Sequence, residues 1–410
     1  MLPADVYDRI DRLLDADDLD REQRYPRVAR VRRPVHTVYV PADVFGPDIV
    51  ALWRGAALRS LDDFGPLPGV PADLEQRVRA RLAVEPIEDL RIDLEDGYGT
   101  RPDDEEDQHV RAAADALRTG AVDGTATRWV GLRIKSLEGQ ARRRAVRTLD
   151  LFLDTVLDAQ PVLPQGFRVT LPKVTSVAQV TAMVDLCEAL EGSHTLAPGA
   201  LMFEVQVETP QAILGADGTA LVARMIHAAQ GRCVGLHYGT YDYSASLGVA
   251  AAFQSMEHPV ADHAKAVMQV AAAGTGVPVS DGSTNVVPVG DRAAVQAAWT
   301  LHARLVRRSL EQGIYQGWDL HPAQLPTRFA ATFAFYRDGL PTAVGRLDRY
   351  LSRAASGVMD EPATARALAG YVLGGLDCGA IDVADVAELA GKLAGGVDLG
   401  RPALEALAAG

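Results

Sequence analysis

The stretch RIDLEDGYG (residues 91–99) sets three carboxylates, Asp93, Glu95 and Asp96, in and just after a run whose alternate residues Ile92 and Leu94 read as buried strand positions. Buried carboxylates are costly unless a cation or hydrogen-bond donors meet them. Further charged residues stand at comparable places along the chain: Arg133 in GLRIKS, Lys173 in LPKV, Glu208 in VETP, Asp242 in HYGTYDYSASLG and His321 in DLHPAQ. Glu208 and Asp242 are the natural metal ligands. Two carboxylates with no partnering Cys, and no His motif at ligand spacing, suit a hard ion such as Mg2+. Glu95 and Asp96 then hydrogen-bond the waters of the ion or hold Arg133 in place, and count with Arg133 as catalytic residues. The Arg133 guanidinium can grip a substrate carboxylate or keto oxygen at two points. Metal and arginine together would hold a 2-keto or 2-hydroxy acid and stabilise an enolate or alkoxide. Lys173 and His321 complete the substrate-binding set, with a structural ion pair as the competing reading of Lys173. A Schiff base on Lys173 is disfavoured, because its charged neighbours keep it protonated.

These residues need a scaffold that brings them to one place. Eight β-rich runs recur: VHTVYV (35–40), LRIDLE (90–95), WVGLRIK (129–135), FRVTLPKV (167–174), LMFEVQVE (201–208), CVGLHYG (233–239), VPVSD (277–281) and YQGWDL (315–320). Most are near-continuous apolar runs, as expected of strands covered on both faces. Helical patterns such as QARRRAVRTLDLFLDTVLDA separate them. Strand–helix alternation eight times over predicts a (β/α)8 TIM barrel, whose active site lies at the C-terminal ends of the strands. The candidate residues sit at those ends. His36 and His237 read as structural strand residues. The organisation expected is an N-terminal helical segment (1–30), the barrel (31–338) and a C-terminal helical lid or extension (339–410). Within the last, 370–410 reads as two short helices with Gly-rich breaks.

Composition narrows the class. The net charge of −13 over 410 residues argues against a nucleic-acid or anionic-membrane surface. Three cysteines, Cys187, Cys233 and Cys378, form no CxxC, which fits a reducing compartment. No apolar run is long enough to span a bilayer, and the acidic N-terminus lacks the pattern of a signal peptide. A cytoplasmic protein is expected.

The ordered motifs RRPVHTVYVP, DLEDGYG, GLRIKS, LPKV, VETP, GTYDYSASLG and GWDLHPAQ resemble the HpcH/HpaI aldolase and citrate lyase beta-subunit superfamily over most of residues 30–370. The resemblance implies a barrel with Mg2+ on Glu208 and Asp242, Arg133 on the substrate carboxylate, and cleavage or formation of a carbon–carbon bond next to a carbonyl. Glu95 and Asp96, where pyruvate aldolases place a general-base His, favour the citrate-lyase-like branch. SGVMDEPATARAL (356–368) resembles that branch's lid segment. Asp360 then matches an aspartate that acts at the reacting carbon, often from a neighbouring subunit; a helix cap before Glu361 and Pro362 is the competing local reading. A homo-oligomer, trimer or hexamer, follows from the resemblance. The chain departs from the pattern at Ala42, Lys135 and Gln316–Gly317, near where a thioester carrier would pass, so coenzyme A use stays open. The reading is thus a Mg2+-dependent carbon–carbon lyase acting on a malyl-, citramalyl- or citryl-type acid, free or as a coenzyme A thioester. The alternatives are a metal-dependent pyruvate or 2-keto acid aldolase acting on free aldehydes, and a non-catalytic carboxylate-binding barrel.

Overall fold

Every one of the eight runs forms a strand in the computed structural model of the protein, which describes residues 2–26, 30–122, 127–158, 162–352, 361–393 and 397–409. The strands are β1 (His36–Pro41), β2 (Asp89–Asp93), β3 (Trp129–Arg133), β4 (Phe167–Leu171), β5 (Phe203–Val207), β6 (Cys233–Tyr238), β7 (Val279–Ser280) and β8 (Gly317–Asp319). They form one sheet in the order β7-β6-β5-β4-β3-β2-β1-β8. The pairings run parallel, with Asp93 opposite Arg133 between β2 and β3. Helix α1 (Ala4–Arg24) precedes β1. The connections carry α2 (Ile49–Phe64), α3 (Ala72–Val84), α4 (Asp103–Val122), α5 (Arg142–Leu157) and α6 (Val177–Ser193). They continue with α7 (Pro210–Ile213), α8 (Leu221–Ala228), α9 (Thr240–Ser246), α10 (Pro259–Ala272) and α11 (Arg292–Glu311). All-parallel order with helical crossovers is the (β/α)8 barrel class.

Local sequence sets the helix ends. Ser176 and Gln179 close a reciprocal capping box on α6. Pro210 and Pro259 open α7 and α10 in the first turn, where a missing N–H costs nothing. After β8 come α12 (Leu325–Ser352), α13 (Pro362–Cys378), α14 (Val383–Gly391) and α15 (Arg401–Ala409). Residues 370–410 thus hold the end of one helix and two more. These helices share a core of Leu340, Val344, Leu347, Ala369, Leu373 and Leu404. The boundary expected at 338/339 falls inside α12.

The chain divides into two units, one of Met1–Ala29, Ile134–Arg147 and Arg168–Ser280, the other of Arg30–Arg133, Thr148–Phe167 and Asp281–Gly410. In both, the strands differ from the apolar runs expected. One set of alternate residues is apolar and buried, as in Leu90, Ile92, Val169, Val205 and Leu236. The other set is polar and equally buried. In the second unit Thr37 Oγ1 donates to Asp89 Oδ2 (3.0 Å), Gln316 Nε2 donates to Thr37 Oγ1 (2.8 Å), and the Arg91 guanidinium pairs with Asp89. In the first unit Glu204 accepts from Thr170 Oγ1 (3.2 Å) and Arg168 Nη1 (3.4 Å), and His237 Nε2 lies 3.4 Å from its Oε1. Buried polar groups survive only when paired in this way. His237 is a buried strand residue set beside the Glu204 carboxylate. His36 opens β1. Its Nε2 accepts from Glu88 N (3.2 Å) and its Nδ1 lies 3.3 Å from Asp319.

Candidate active site

In the second unit the site is built around Arg133, the last residue of β3, and Asp93, the last of β2. Arg133 Nε and Nη2 each donate to Asp93 at 2.6 Å, and both side chains are buried. Nη1 lies 3.5 Å from Glu95 Oε2. The guanidinium carbon stands 4.6 Å from the Tyr39 ring centroid and 5.9 Å from that of Trp318, within cation–π range. Burial works against the charged form of Arg133, but the Asp93 charge and hydrogen bonds, with Glu95, outweigh it and raise its pKa further. Asp93 also accepts Glu95 N (3.0 Å) and Gly97 N (2.9 Å). A Cβ on Gly97 would come 2.5 Å from Asp93 Oδ2, so the loop closes over the carboxylate only with glycine. The acidic stretch after β2 is thereby compensated by one arginine and a cradle of backbone donors. Glu95 is buried, and its Oε2 accepts from Asp96 N (2.8 Å); Asp96 itself is exposed. His321 is half-buried. Its Nδ1 accepts from Ala323 N (3.2 Å) and caps the 3-10 turn Pro322–Gln324, and burial pushes its pKa down.

In the first unit Lys173, Glu208 and Asp242 come together. Glu208 follows β5 and is buried; Asp242 lies in the first turn of α9 with its side chain half exposed. Their carboxylate oxygens come within 4.8 Å of each other. Lys173 holds both: its backbone N–H donates to Glu208 Oε1 (2.7 Å) and its Nζ to Asp242 Oδ2 (3.0 Å). It does so from φ +51°, the left-handed region that L-residues avoid at a cost of about 1–3 kcal/mol. Gln206 Nε2 donates to Glu208 Oε2 (2.5 Å). Gly239, between β6 and α9, leaves the room Glu208 occupies. A Cβ there would lie 2.7 Å from Glu208 Oε2 and closer still to its Cβ. Two carboxylates without a soft ligand, one of them balanced by an ammonium group, fit a hard divalent cation.

Of the charged residues read from the strand ends, Glu95, Asp96, Arg133 and His321 belong to the second unit, and Lys173, Glu208 and Asp242 to the first. Asp360 lies outside the described residues. Asp93, Gln206 and Gly239 take part without having been singled out for those roles. Gly97 beside Asp93 and Gly239 shortly before Asp242 were the available signals, since a glycine at a strand end marks close approach of backbone or side chain.

The family described as a domain of unknown function (DUF6986) matches residues 14–398. No curated protein matches the chain. Among solved structures, Haloferax volcanii malate synthase in a magnesium/glyoxylate complex is 14% identical, with a TM-score of 0.51 over 73% of this chain and 76% of that one. Its pyruvate/acetyl-CoA ternary complex is 12% identical, with a TM-score of 0.50 over 74% and 71%. The protein CitE from Mycobacterium tuberculosis, in complex with magnesium, acetoacetate and coenzyme A, is 20% identical, with a TM-score of 0.48 over 86% and 99%. The malate synthase structures share the fold of this chain. No helix among the described residues is long and apolar enough to cross a membrane.

Proposed function

The chain belongs to the DUF6986 family, and from that premise we propose that it is a Mg2+-dependent enzyme that breaks or forms a carbon–carbon bond next to the carbonyl of a 2-keto acid. The observation that carries this reading is the pair of carboxylates, Glu208 and Asp242, set within 4.8 Å in a chain that also buries a preorganised arginine at a strand end. The motif order and the fold shared with malate synthase, seen with magnesium and glyoxylate and with pyruvate and acetyl-CoA, support it.

Glu208 and Asp242 would hold the ion, which when bound polarises the keto or hydroxyl oxygen of the substrate. The chain's own residues do the rest. Arg133 receives the substrate carboxylate on its Nη1 side, while Asp93 keeps the Nε–Nη2 side fixed, so the guanidinium enters the reaction already oriented. Lys173 and Gln206 hold Glu208 at its oxygens. In cleavage a base would take the proton of the 2-hydroxyl, the carbon–carbon bond breaks as the carbonyl forms, and the electron pair of that bond passes to the carbon beside the second carbonyl. That carbon then takes up a proton, and Asp360 is the group assigned to deliver it, from the same or a neighbouring subunit of a homo-oligomer. Glu95 and Asp96 would order water and support Arg133, and His321 would line the substrate end. The acyl partner, free or as a coenzyme A thioester, is a small molecule, and the enzyme would work in the cytoplasm.

Calorimetric titration of the parent, Glu208→Ala and Asp242→Ala with Mg2+ tests the ion. At about 100 times Kd, the parent should gain about 2.7 kcal/mol of stability and each variant should lose that gain. Variants that bind Mg2+ like the parent would remove the site. Turnover of malyl-, citramalyl- and citryl-type acids and thioesters, with EDTA controls, tests the chemistry. Stabilisation by the acids without turnover would instead favour a carboxylate-binding barrel.

A further inference from the structure

Helix α1 runs for 21 residues with none buried. An isolated helix of this length gains little from propensity alone, and in proteins most helical stability comes from a covered apolar face. α1 has such a face. Val6, Tyr7, Ile10, Leu13 and Leu14 fall within about 120° of the helix circumference, and Val6, Ile10 and Leu14 form one ridge at spacings of four. Leu13 is 72% exposed, Tyr7 56% and Leu14 50%. The rest of the helix is acidic, eight Asp and Glu against four Arg, and one flank of the stripe carries Asp11, Asp15 and Asp18. At its C-terminal end Tyr25 anchors the segment, its ring edge-on to His227 at 5.6 Å and against Gly274.

The same unit contains a groove that matches this face. It lies between α6 and the start of α5, has a volume of about 350 Å3, and is lined by Leu137, Val146, Ala182, Leu186 and Arg142. Ala178, Ala182 and Leu186 are spaced by four along α6. Small residues in such a row let a ridge of another helix approach closely. Arg142 lines the groove, and exposed Arg143 stands beside it. An apolar floor with an arginine rim complements an apolar stripe with an aspartate flank.

We propose that α1 of each copy seats its Val6–Ile10–Leu14 ridge in the α5/α6 groove of a second copy of the chain, with Asp11, Asp15 and Asp18 toward Arg142 and Arg143. An exchange of this kind repeats identically at every copy and closes with the symmetry of the assembly. The occupant is a second copy because the aspartate-flanked apolar stripe and the arginine-rimmed apolar groove complement each other within one sequence, and no residue of α1 is buried.

Two full-length single-cysteine variants test this, since Cys187, Cys233 and Cys378 are buried. Chains carrying Leu14→Cys are mixed with chains carrying Ala182→Cys under mild oxidation and run on a non-reducing gel. A disulfide-linked heterodimer is expected, with neither variant linking to itself. In sedimentation, Leu13→Asp with Leu14→Asp, and separately Ala182→Asp, should convert the oligomer to a smaller species while the far-UV dichroism and Mg2+ titration of the parent persist. A parent that is monomeric at micromolar concentration overturns the proposal. So does Leu14→Cys linking to itself, which would mean that the helices pair with each other. Closure within one chain of a Leu14→Cys/Ala182→Cys double variant, or no cross-link in an oligomeric sample, also overturns it.

Discussion

Replacing Asp93 with asparagine probes the centre of the arginine site. Asp93 accepts four hydrogen bonds, two from Arg133 and one each from Glu95 N and Gly97 N. Asparagine keeps the shape, loses the charge and turns an NH2 toward groups that only donate. Removing one member of a buried ion pair costs about 3–5 kcal/mol, because the remaining charge stays buried. Glu95 at 3.5 Å and the Tyr39 ring at 4.6 Å offset part of this. A cation–π contact contributes about 0.5–2 kcal/mol, so the expected loss is about 2–4 kcal/mol. Urea unfolding of the full chain with linear extrapolation measures it. Asp93→Leu combined with Arg133→Met removes both charges and should be more stable than Asp93→Leu alone, a coupling that a double-mutant cycle isolates. An Asp93→Asn loss below about 1 kcal/mol, or a double variant weaker than the single, would refute the reasoning.

Other expectations follow from the same geometry. Arg133→Lys cannot present a planar fork, and should lower kcat/KM by about 2–4 kcal/mol, roughly 30- to 1,000-fold; retention of more than about a third of parental activity would contradict the role. Gly239→Ala should abolish Mg2+ binding in calorimetry, since its Cβ would push Glu208 off the Lys173 and Gln206 donors, and should cost about 1–3 kcal/mol in stability; parental affinity would show that Glu208 has room to adapt. His302, buried between Thr327 and Asp319, is held by burial below its ordinary value of 6.5, with Asp319 opposing. The unfolded chain therefore takes up a proton below about pH 6.5 that the folded state refuses, so stability is full above that point and falls as pH drops toward the lowered folded pKa, by up to about 1.4 kcal/mol per pH unit. His302→Gln should flatten this slope in urea unfolding between about pH 7 and pH 5, and an unchanged slope would rule His302 out as its source.

The fold was legible because eight runs separated by helical patterns leave few alternatives, and each run became a strand. The charged residues at their ends were legible for the same reason. What the sequence did not disclose is three-dimensional. Leu90 and Ile92 identify the apolar face of β2, but nothing local says that Asp89, Arg91 and Asp93 are also buried, since Asp89 meets Thr37 of β1 and Asp93 meets Arg133 of β3. The sequence does not set Asp93 apart from its neighbours Glu95 and Asp96, because its role depends on register, which sets it opposite Arg133. The sequence marks Lys173 by its type and its place at a strand end. Its left-handed backbone, which aims one N–H at Glu208 and the ammonium group at Asp242, has no signature in LPKV, where a glycine would have been the usual marker. The place of His321 after β8 suits a substrate group, and the same place makes it a cap.

The charges buried at alternate strand positions also act before the sheet exists. Short windows of high β-propensity and low charge assemble into cross-β stacks, and parallel sheets, which pair segments far apart in the chain, leave such windows exposed while folding proceeds. Here DLRID, WVGLR, FRVTL and FEVQV each carry at least one charge. Identical copies of any of them, stacked in register, would set like charges side by side. The native neighbour neutralises the charge, as Asp93 does for Arg133 and Glu204 for Arg168, and a slip of one residue loses that match. Each such strand therefore rejects its own copies and its own misregistered partners, and a nascent chain of this sequence is proofread by the residues that later line its sheet.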